Sequence, residues 1–306
     1  MPEGPEVRRY ADALDAALAG RRLTALGART REAKAWLAAH PDAFPGRSVR
    51  RVWAHGKHLV GEVEGALFFA SHLLMWGRWH VVPVDDPAVA APDRRERARV
   101  LTAETAALLY SAPVFHVGRG SPYAHVPWLA GLGPDALPYG GPGAFDREAF
   151  HARLFGGAHG DRAIGAALLD QTVVAGLGNY LRAEILFACR LDPWRRVDEL
   201  TPDELRCLDR EIPRVTRLAY ETAGRTVSAA EQARMLADPA LTYNGKPWNA
   251  RHHVFRRTNL PCLICGTPIR QRRQVTRAAP EAGEDDKTRI IYFCPTCQQT
   301  EGPGRL

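Results

Sequence analysis

The sequence predicts an α+β protein in three parts: a β-sandwich or barrel-like domain with one N-terminal helix, a helical region, and a C-terminal hairpin. Short apolar or alternating runs separated by glycine and proline extend from Arg22 to about Val117, which is typical of a sandwich or barrel. From Asp146 to about Ala223 the apolar residues recur at helical spacing. Two Cys-x-x-Cys pairs then enclose a segment with β-branched residues near its ends, which suits two paired strands.

The composition is that of an ordinary globular protein. The 306 residues are 45% hydrophobic and 25% charged, enough for two domains and a small module. No run approaches the ~18 uncharged apolar residues of a membrane span, and no signal-peptide pattern opens the chain. We therefore expect a cytoplasmic protein without a membrane partner.

Positive charge is concentrated near the C-terminus. The net charge is +7, and from Gly245 to Leu306 eleven Lys or Arg stand against five Asp or Glu. Such a basic segment indicates that the protein binds a polyanion, most often nucleic acid. The alternative is a solvated, arginine-rich surface.

The first helix is predicted over about Pro5–Ala19 from its apolar spacing. Removal of Met1 would leave the secondary amine of Pro2 beside the carboxylate of Glu3. An amine with an acid/base next to it can attack a carbon that carries a leaving group. The alternative is a plain helix start, in which Pro5 suits the first helical position and acidic residues suit the positive end of the dipole.

The remaining elements follow from local patterns. The expected strands are short and apolar or alternating: Leu23–Ala28, Val49–Ala54, Leu59–Val63, Ala66–Ala70, Trp79–Val82, Arg99–Leu101 and Leu108–Val117. Gly131–Gly143, rich in Gly and Pro, indicates an interdomain linker. The expected helical runs are Phe150–Phe155, Ile164–Val174, Tyr180–Phe187, Leu200–Leu208 and Ile212–Ala219. Gly224–Asn249 has weak periodicity and is predicted as a long loop.

The cysteines indicate a metal site. Cys262 and Cys265 form one Cys-x-x-Cys knuckle, and Cys294 and Cys297 form the other. Four thiolates make a closed tetrahedral Zn²⁺ site, which is structural because no position stays open for substrate. The hairpin between the knuckles would present basic residues at its tip. The two other cysteines are predicted as separate packing residues: Cys189 and Cys207.

Three further stretches are candidates for ligand contacts. The Gly176–Asn179 turn lets backbone N–H groups approach a phosphate, which Asn179 would also bind; the alternative is a plain helix–helix turn. The Ser71–Gly77 stretch has an apolar tip that suits a wedge in a base stack, although it is also typical of core. His55–His58 places a lysine beside glycine in a turn, where it would reach a phosphate or remain solvated.

Taken together, these residues resemble the formamidopyrimidine-DNA glycosylase/endonuclease VIII family of base-excision repair enzymes. The resemblance runs over nearly the whole chain in the family's order: the Pro-Glu-Gly-Pro-Glu start, the His-Gly-Lys turn, the Leu-Leu-Asp-Gln to Gly-Leu-Gly-Asn-Tyr segment at 168–180, and the zinc hairpin. The start and the run Asn179–Arg182 are similar to the endonuclease VIII branch. The resemblance implies a β-sandwich domain at 1–138, a helix–two-turn–helix domain with a long loop at 139–258, and a zinc finger at 259–306.

The resemblance also implies residue roles. Pro2 would attack C1′ of the damaged nucleotide and form a Schiff base, with Glu3 as acid/base at the sugar. Lys57 would serve β-elimination, and Arg289 would grip phosphate and assist δ-elimination. Asn179 would hold a phosphate near the lesion. A group around the wedge would fill the gap left by the flipped base: His72, Leu74, Met75 and Trp76.

An N-terminal amine suits this chemistry. An α-amino group titrates near 7.7–8.0 and a lysine near 10.4, so at pH ~7.5 the former is neutral roughly two to three powers of ten more often. Proline's ring raises the basicity of its own amine somewhat, but a nearby Lys57 and the positive end of the first helix would lower it again. The mechanism requires removal of Met1.

Departures from the family pattern bear on substrate range. Gly165 stands where many members carry lysine, Leu74 and Trp76 stand where endonuclease VIII proteins commonly place Gln and Tyr, and Gly131 stands where some place arginine. The resemblance implies a DNA glycosylase/AP lyase on double-stranded DNA with oxidised pyrimidines favoured, acting as a nucleoid-associated monomer. The alternatives are the same enzyme on oxidised purines, or a non-catalytic, zinc-dependent protein that binds damaged DNA.

Overall fold

The computed structural model describes residues 2–156, 160–277, 287–300 and 302. The chain forms two compact units, Met1–Leu132 and Gly133–Leu306. The predicted α+β class is confirmed, with strands and helices in both units. Among the described residues, no helix is both long enough and apolar enough to cross a bilayer.

The first unit is a sandwich of two antiparallel four-stranded sheets. One sheet has the order β2-β3-β4-β8 and the other β1-β6-β7-β5. The strands are β1 (Leu23–Ala28), β2 (Val49–His55), β3 (His58–Val63), β4 (Leu67–His72), β5 (Arg78–Pro83), β6 (Glu96–Thr102), β7 (Thr105–Tyr110) and β8 (Val114–Arg119). Buried residues of both sheets, such as Phe69 and Leu109, share one apolar cluster with Leu14 of the first helix, α1 (Gly4–Leu18). Burial of this shared face stabilises the sandwich.

The structure adds two features to the predicted first unit. The run Leu108–Val117 is two strands, β7 and β8, because the chain turns at Ser111, whose φ is +56°. A second helix, α2 (Arg31–Ala39), lies between β1 and β2. Its apolar residues Ala33, Trp36 and Leu37 have helical spacing and pack on the core of the sandwich, a short local signal that the sequence prediction missed. Three single-turn helices complete the unit: α3 (Pro87–Ala90), α4 (Pro122–His125) and α5 (Pro127–Ala130).

The second unit is helical and ends in a β-hairpin. Its helices are α6 (Arg147–Phe155), α7 (Ile164–Ala167), α8 (Asn179–Ala188), α9 (Pro202–Glu221) and α10 (Ala229–Ala237). Short 3₁₀ helices lie at Pro142–Ala144, Val197–Glu199, Pro239–Leu241 and Pro247–Asn249. Strands β9 (Arg270–Arg277) and β10 (Lys287–Phe293) pair antiparallel. Apolar residues of α8 and α9 share one buried cluster with Ile291 of β10 and with Ile269, which directly precedes β9, so the hairpin is attached to this unit's core.

Three expectations for the second unit differ from the structure. The run Ile164–Val174 is helical only over α7, and the two runs expected between Leu200 and Ala219 are one helix, α9, which continues through Pro213. The predicted long loop Gly224–Asn249 contains α10. Its start is a capping box between Ser228 and Glu231, a Ser-x-x-Glu signal that overrides the weak periodicity after it.

The Gly- and Pro-rich stretch Gly131–Gly143 belongs to the second unit from Gly133 onwards. The Gly133 N–H donates to the Gln171 carbonyl at 2.9 Å, and the Ala136 N–H donates to the Ala175 carbonyl at 3.0 Å. Ala136 is fully buried. A Cβ on Gly133 would lie 2.5 Å from the Val173 carbonyl oxygen, so glycine permits this close approach.

Cys189 and Cys207 form a disulfide between the end of α8 and the middle of α9. The prediction that they are separate packing residues is wrong. Their Cα atoms lie 5.6 Å apart although the residues are 18 apart in sequence, because α9 packs against α8. Spacing of this kind carries no signal until the packing of the two helices is known.

We expect reduction of this disulfide to lower the melting temperature of the second unit. Closing a loop of this length is worth about 3 kcal/mol, or roughly 6–12 °C for a unit of this size. Calorimetry with and without a phosphine reductant measures the effect. The double variant Cys189→Ala/Cys207→Ala should melt at the reduced temperature and ignore the reductant. Equal melting temperatures for both forms of the parent protein would contradict the expectation.

Candidate functional site

Glu3 is fixed at the N-terminus of α1. Its side chain is 4% exposed and accepts a hydrogen bond from the backbone N–H of Glu6, while the Glu3 N–H donates to Glu6 Oε2 at 2.8 Å. This reciprocal capping box holds the carboxylate at the positive end of the helix. Half-buried Pro2 directly precedes it. The helix start and the candidate pair Pro2 and Glu3 therefore coincide, since capping is what orients Glu3.

Lys57 is buried in the turn between β2 and β3. The two-residue turn joins His55 to His58, and Gly56 adopts a φ of +56°, a conformation that favours glycine. Lys57 is only 8% exposed, which is rare for lysine unless partners hold it. The alternative of a merely solvated lysine is therefore wrong. Because α1 packs against β2 and β3, one sheet carries both the helix and the lysine turn.

Buried His58, which follows Lys57 in the chain, and half-buried His72 both have a lowered pKa. His58 and His72 are cross-strand partners with ring centroids 4.6 Å apart, and His58 stacks on Trp128 at 5.5 Å. Burial lowers the pKa of His58 to about 3, with the charges of the nearby histidines and Lys57 adding to the effect. Burial and Lys57 lower the pKa of His72 to about 4. The sequence analysis named His58 only as the end of the lysine turn and did not name Trp128, whose contact with His58 depends on the packing of distant segments.

The Leu74–Trp76 tip is an exposed turn between β4 and β5. Leu74, Met75 and Trp76 are 41%, 56% and 76% exposed. Leu73 beneath them is buried. Among the large apolar side chains of this stretch, only Leu73 therefore belongs to the core. The Leu74 N–H donates to His72 Nδ1 at 3.0 Å. These contacts hold three large apolar side chains out from the surface.

Asn179 is the first residue of α8 and follows a glycine turn. Gly176 has a φ of +104°, and Gly178 occupies the N-cap. Gln171 braces the turn: its Nε2 donates to the Leu177 carbonyl at 3.0 Å, and its Oε1 accepts from the Gly176 N–H at 3.1 Å. The turn thus offers a helix N-terminus and a side-chain amide, a combination that suits an anion.

Fully buried Arg182 ties the start of α8 to the hairpin. Its Nη1 donates to the Gly165 carbonyl at 3.1 Å and to Gln274 Oε1 at 3.0 Å, and its Nη2 donates to the Ile290 carbonyl at 2.9 Å. Gln274 is the cross-strand partner of Arg289. Arg182 therefore connects the Asn179 turn with the strand that carries Arg289.

The packing around Arg182 and Gln274 also explains the glycine at position 165. A Cβ there would lie 2.6 Å from Gln274 Oε1 and 2.9 Å from the Pro193 carbonyl oxygen. Gln274 also donates to the Pro193 carbonyl at 2.8 Å, so it cannot move away without losing that bond. No side chain fits at Gly165, and a lysine at this position is excluded by the packing.

We expect Arg182→Ala to destabilise the second unit by about 3 kcal/mol or more. The change leaves the buried Gly165 and Ile290 carbonyls and Gln274 without their charged donor, and each loss costs ~1–3 kcal/mol. Urea unfolding followed by circular dichroism measures it. Arg206→Ala, which removes an exposed arginine of α9, is the control and should change stability by less than ~0.5 kcal/mol. Equal effects of the two variants would contradict a stabilising role for the buried hydrogen bonds of Arg182.

Arg289 lies on β10 with its side chain exposed. Its Nη1 donates to the neighbouring Thr288 carbonyl at 3.1 Å, which leaves the rest of the guanidinium facing solvent. The hairpin tip, for which basic residues were expected, lies outside the described residues.

The four knuckle cysteines form one cluster. Their sulfur atoms all lie within 4.8 Å of one another; Cys262 Sγ is 3.8 Å from Cys297 Sγ, and Cys265 Sγ is 3.5 Å from Cys294 Sγ. Four sulfurs at ~2.3 Å from one Zn²⁺ in a tetrahedron lie about 3.8 Å apart, so the cluster has the dimensions of a metal site. The predicted ligand set is thus brought together.

The candidate residues divide between the two units. Pro2, Glu3, Lys57 and the Leu74–Trp76 tip belong to the first unit. Asn179, Arg289 and the four cysteines belong to the second.

Two family models match the chain. The formamidopyrimidine-DNA glycosylase N-terminal domain matches residues 1–113, and the formamidopyrimidine-DNA glycosylase H2TH domain matches residues 132–231. The first range contains Pro2, Glu3 and Lys57, and the second contains Asn179 and Arg182.

Curated relatives and solved structures agree with these models. Endonuclease 8 of Klebsiella pneumoniae (strain 342) is 33% identical over 304 residues, covering 97% of this chain and 100% of the relative. Endonuclease 8 of Salmonella arizonae is 31% identical over 299 residues, covering 98% and 100%. The structure of Lactococcus lactis Fpg in complex with abasic-site DNA has a TM-score of 0.71 at 22% identity, covering 97% and 100% of the two chains. The MutM (Fpg) protein of Thermus thermophilus has a TM-score of 0.70 at 29% identity, covering 99% and 100%. The chain therefore belongs to the formamidopyrimidine-DNA glycosylase/endonuclease VIII family.

Proposed function

We propose that this protein is a bifunctional DNA glycosylase/AP lyase of base-excision repair that removes oxidised bases, with pyrimidines favoured. The observation that carries the proposal is the start of the chain, where Pro2 directly precedes a buried, helix-capping Glu3. A carboxylate fixed at a helix N-terminus beside a secondary amine is an acid/base next to a nucleophile. Buried Lys57 on the same unit supplies a second ionisable group.

The proposed reaction begins at C1′ of the damaged nucleotide. The neutral amine of Pro2 forms a bond to C1′, the bond from C1′ to the base breaks, and the base leaves with a proton. The sugar ring opens as the Pro2 nitrogen becomes a Schiff base, and Glu3 transfers the proton at the sugar oxygen. Loss of a C2′ proton, assisted by Lys57, expels the 3′ phosphate. A second elimination removes the C4′ proton and, assisted by Arg289, expels the 5′ phosphate, and water then hydrolyses the Schiff base and releases the sugar fragment from Pro2.

We propose that the DNA is held through its phosphates and through a base-stack gap. Asn179 at the N-terminus of α8 and exposed Arg289 suit phosphate oxygens. The Leu74–Trp76 tip suits the gap left by a flipped base, since three exposed apolar side chains on a fixed turn replace lost stacking. His72 anchors that turn through the Leu74 N–H. Work on chromosomal DNA would place the protein at the nucleoid.

We further propose that Cys262, Cys265, Cys294 and Cys297 hold one Zn²⁺. Four thiolates leave no open coordination position, so the metal would support the hairpin that carries Arg289 and take no part in the reaction. The sulfur spacing supports this assignment.

A panel of oligonucleotides tests the function. Duplexes carrying thymine glycol, 8-oxoguanine or an abasic site are incubated with the mature protein, and strand cleavage is followed on denaturing gels. We expect cleavage at the abasic site and faster cleavage at thymine glycol than at 8-oxoguanine. Faster cleavage at 8-oxoguanine would overturn the pyrimidine preference. Salt-sensitive binding that survives loss of Pro2 and Glu3, without any cleavage, would overturn the enzyme in favour of a damage-binding protein.

A further inference from the structure

The segment that follows α9 is folded against the first zinc knuckle. Buried Val227, Met235, Leu241 and Ala250 form an apolar cluster with Leu263, which lies between Cys262 and Cys265. Arg234 of α10 donates to the Leu263 carbonyl at 3.3 Å. The segment is thus anchored on both sides of residues 243–248, which we call the aromatic tip.

The aromatic tip is exposed between its buried anchors. Tyr243 is 41% exposed and Trp248 is 61% exposed, whereas Leu241 and Ala250 are buried. The Lys246 ammonium lies 4.8 Å from the centre of the Trp248 ring. Two large aromatic side chains are thus exposed within one six-residue segment, and clustered exposed apolar surface marks interaction sites.

Hydrogen bonds hold the aromatic tip in one conformation. Asn249 Nδ2 donates to the Tyr243 carbonyl at 2.5 Å, and the Tyr243 hydroxyl donates to the Thr258 carbonyl. Thr258 in turn donates to Gln271 Oε1 on β9 at 3.0 Å. The Tyr243 ring and the ends of the tip are therefore fixed before any ligand arrives, which lowers the entropy cost of stacking there.

The surroundings of the tip are strongly basic. From Leu241 to Arg277 the sequence contains eight Lys or Arg and no Asp or Glu. A basic surface with exposed aromatic rings fits an anionic backbone with accessible bases and does not fit an apolar protein partner.

We propose that the aromatic tip is a stacking platform for unpaired bases of single-stranded DNA, with Trp248 and Tyr243 as the stacking surfaces and Lys246 as a phosphate contact. This inference goes beyond the proposed function, because it concerns undamaged DNA and requires neither Pro2 nor Glu3. Bases in a duplex are already stacked on their neighbours. The platform therefore favours single strands over duplexes.

The test measures binding of a fluorescein-labelled, undamaged single strand and of the same sequence as a duplex by anisotropy, using the full chain. Stacking on one ring is worth ~1–3 kcal/mol, so Trp248→Ala should weaken single-strand binding about 5- to 150-fold. Duplex binding should change less than about twofold. Trp248→Phe should keep most of the affinity, and Phe155→Ala, which removes an exposed ring of α6, is the matched control and should have no effect.

Three results would overturn the platform: unchanged single-strand affinity in Trp248→Ala, an equal loss on single strand and duplex, or a loss of lesion excision alone. The last result would mean that the tip covers the excised base instead. Lys246→Gln provides a second measurement that keeps both rings in the chain, and it should reduce the salt dependence of single-strand binding by about one phosphate contact. An unchanged salt slope also contradicts the proposal. Cleavage of abasic DNA is scored separately, so failure of the platform and failure of the enzyme are distinguishable.

Discussion

Replacing Glu3 with glutamine is expected to lower the rate of base excision by about 10²–10⁴-fold, the usual contribution of a positioned acid/base. Glutamine has the same shape and keeps an oxygen that accepts the Glu6 N–H, so the cap of α1 survives. Single-turnover kinetics on a thymine glycol duplex measure the rate, and thermal unfolding reports the fold.

Glu6→Gln is the matched control for Glu3→Gln. It changes the other half of the same capping box and should leave excision within about threefold of the parent rate, because a neutral acceptor still caps the helix. A Glu3→Gln variant with parent excision rates would remove Glu3 from the reaction. Equal losses in the two variants would show that capping, and not proton transfer, explains the effect.

Loss of the thiolate cluster is expected to have the second largest effect. Zinc bound by such sites contributes on the order of 10–16 kcal/mol of folding free energy. Cys294→Ser should therefore release the metal and unfold the hairpin of β9 and β10, and with it the strand that carries Arg289. Metal content by mass spectrometry should fall from one zinc per chain towards zero, and binding of an abasic duplex should fall at least ~10-fold.

The control for Cys294→Ser is the double variant Cys189→Ser/Cys207→Ser. It also removes sulfur-bearing residues from the second unit, but they lie in the disulfide between α8 and α9. It should keep one zinc per chain and parent affinity for DNA. A Cys294→Ser protein that keeps both the metal and its affinity would contradict the structural zinc site.

The elements that could be predicted from the sequence are those whose signal is local. The apolar spacing of α1, the short alternating runs of the sandwich and the two Cys-x-x-Cys knuckles each lie within one stretch of chain. Glu3 and Lys57 were found because they belong to a motif. Their burial was not predictable, because it depends on how α1 packs on β2 and β3.

The features missed from the sequence depend on packing between distant segments. α2 is a short helix held by β1 and β8, and its apolar signal is limited to Ala33, Trp36 and Leu37. The Cys189–Cys207 disulfide exists because α9 lies against α8. Arg182 was part of a recognised run, yet its role depends on Gln274 and Ile290, about a hundred residues away. α10 carried a local signal in its Ser228–Glu231 capping box, and this signal outweighs the weak periodicity of the segment.

The central claim is that the amine of Pro2 is the nucleophile, and borohydride trapping on an abasic oligonucleotide tests it most directly. We predict that the active protein has lost Met1 by intact mass, that borohydride yields a covalent protein–DNA adduct, and that peptide mapping places the adduct on the N-terminal nitrogen of Pro2. Pro2→Gly should give a diminished adduct. No adduct from the parent protein, an adduct on Lys57, or an undiminished adduct from Pro2→Gly would contradict the claim.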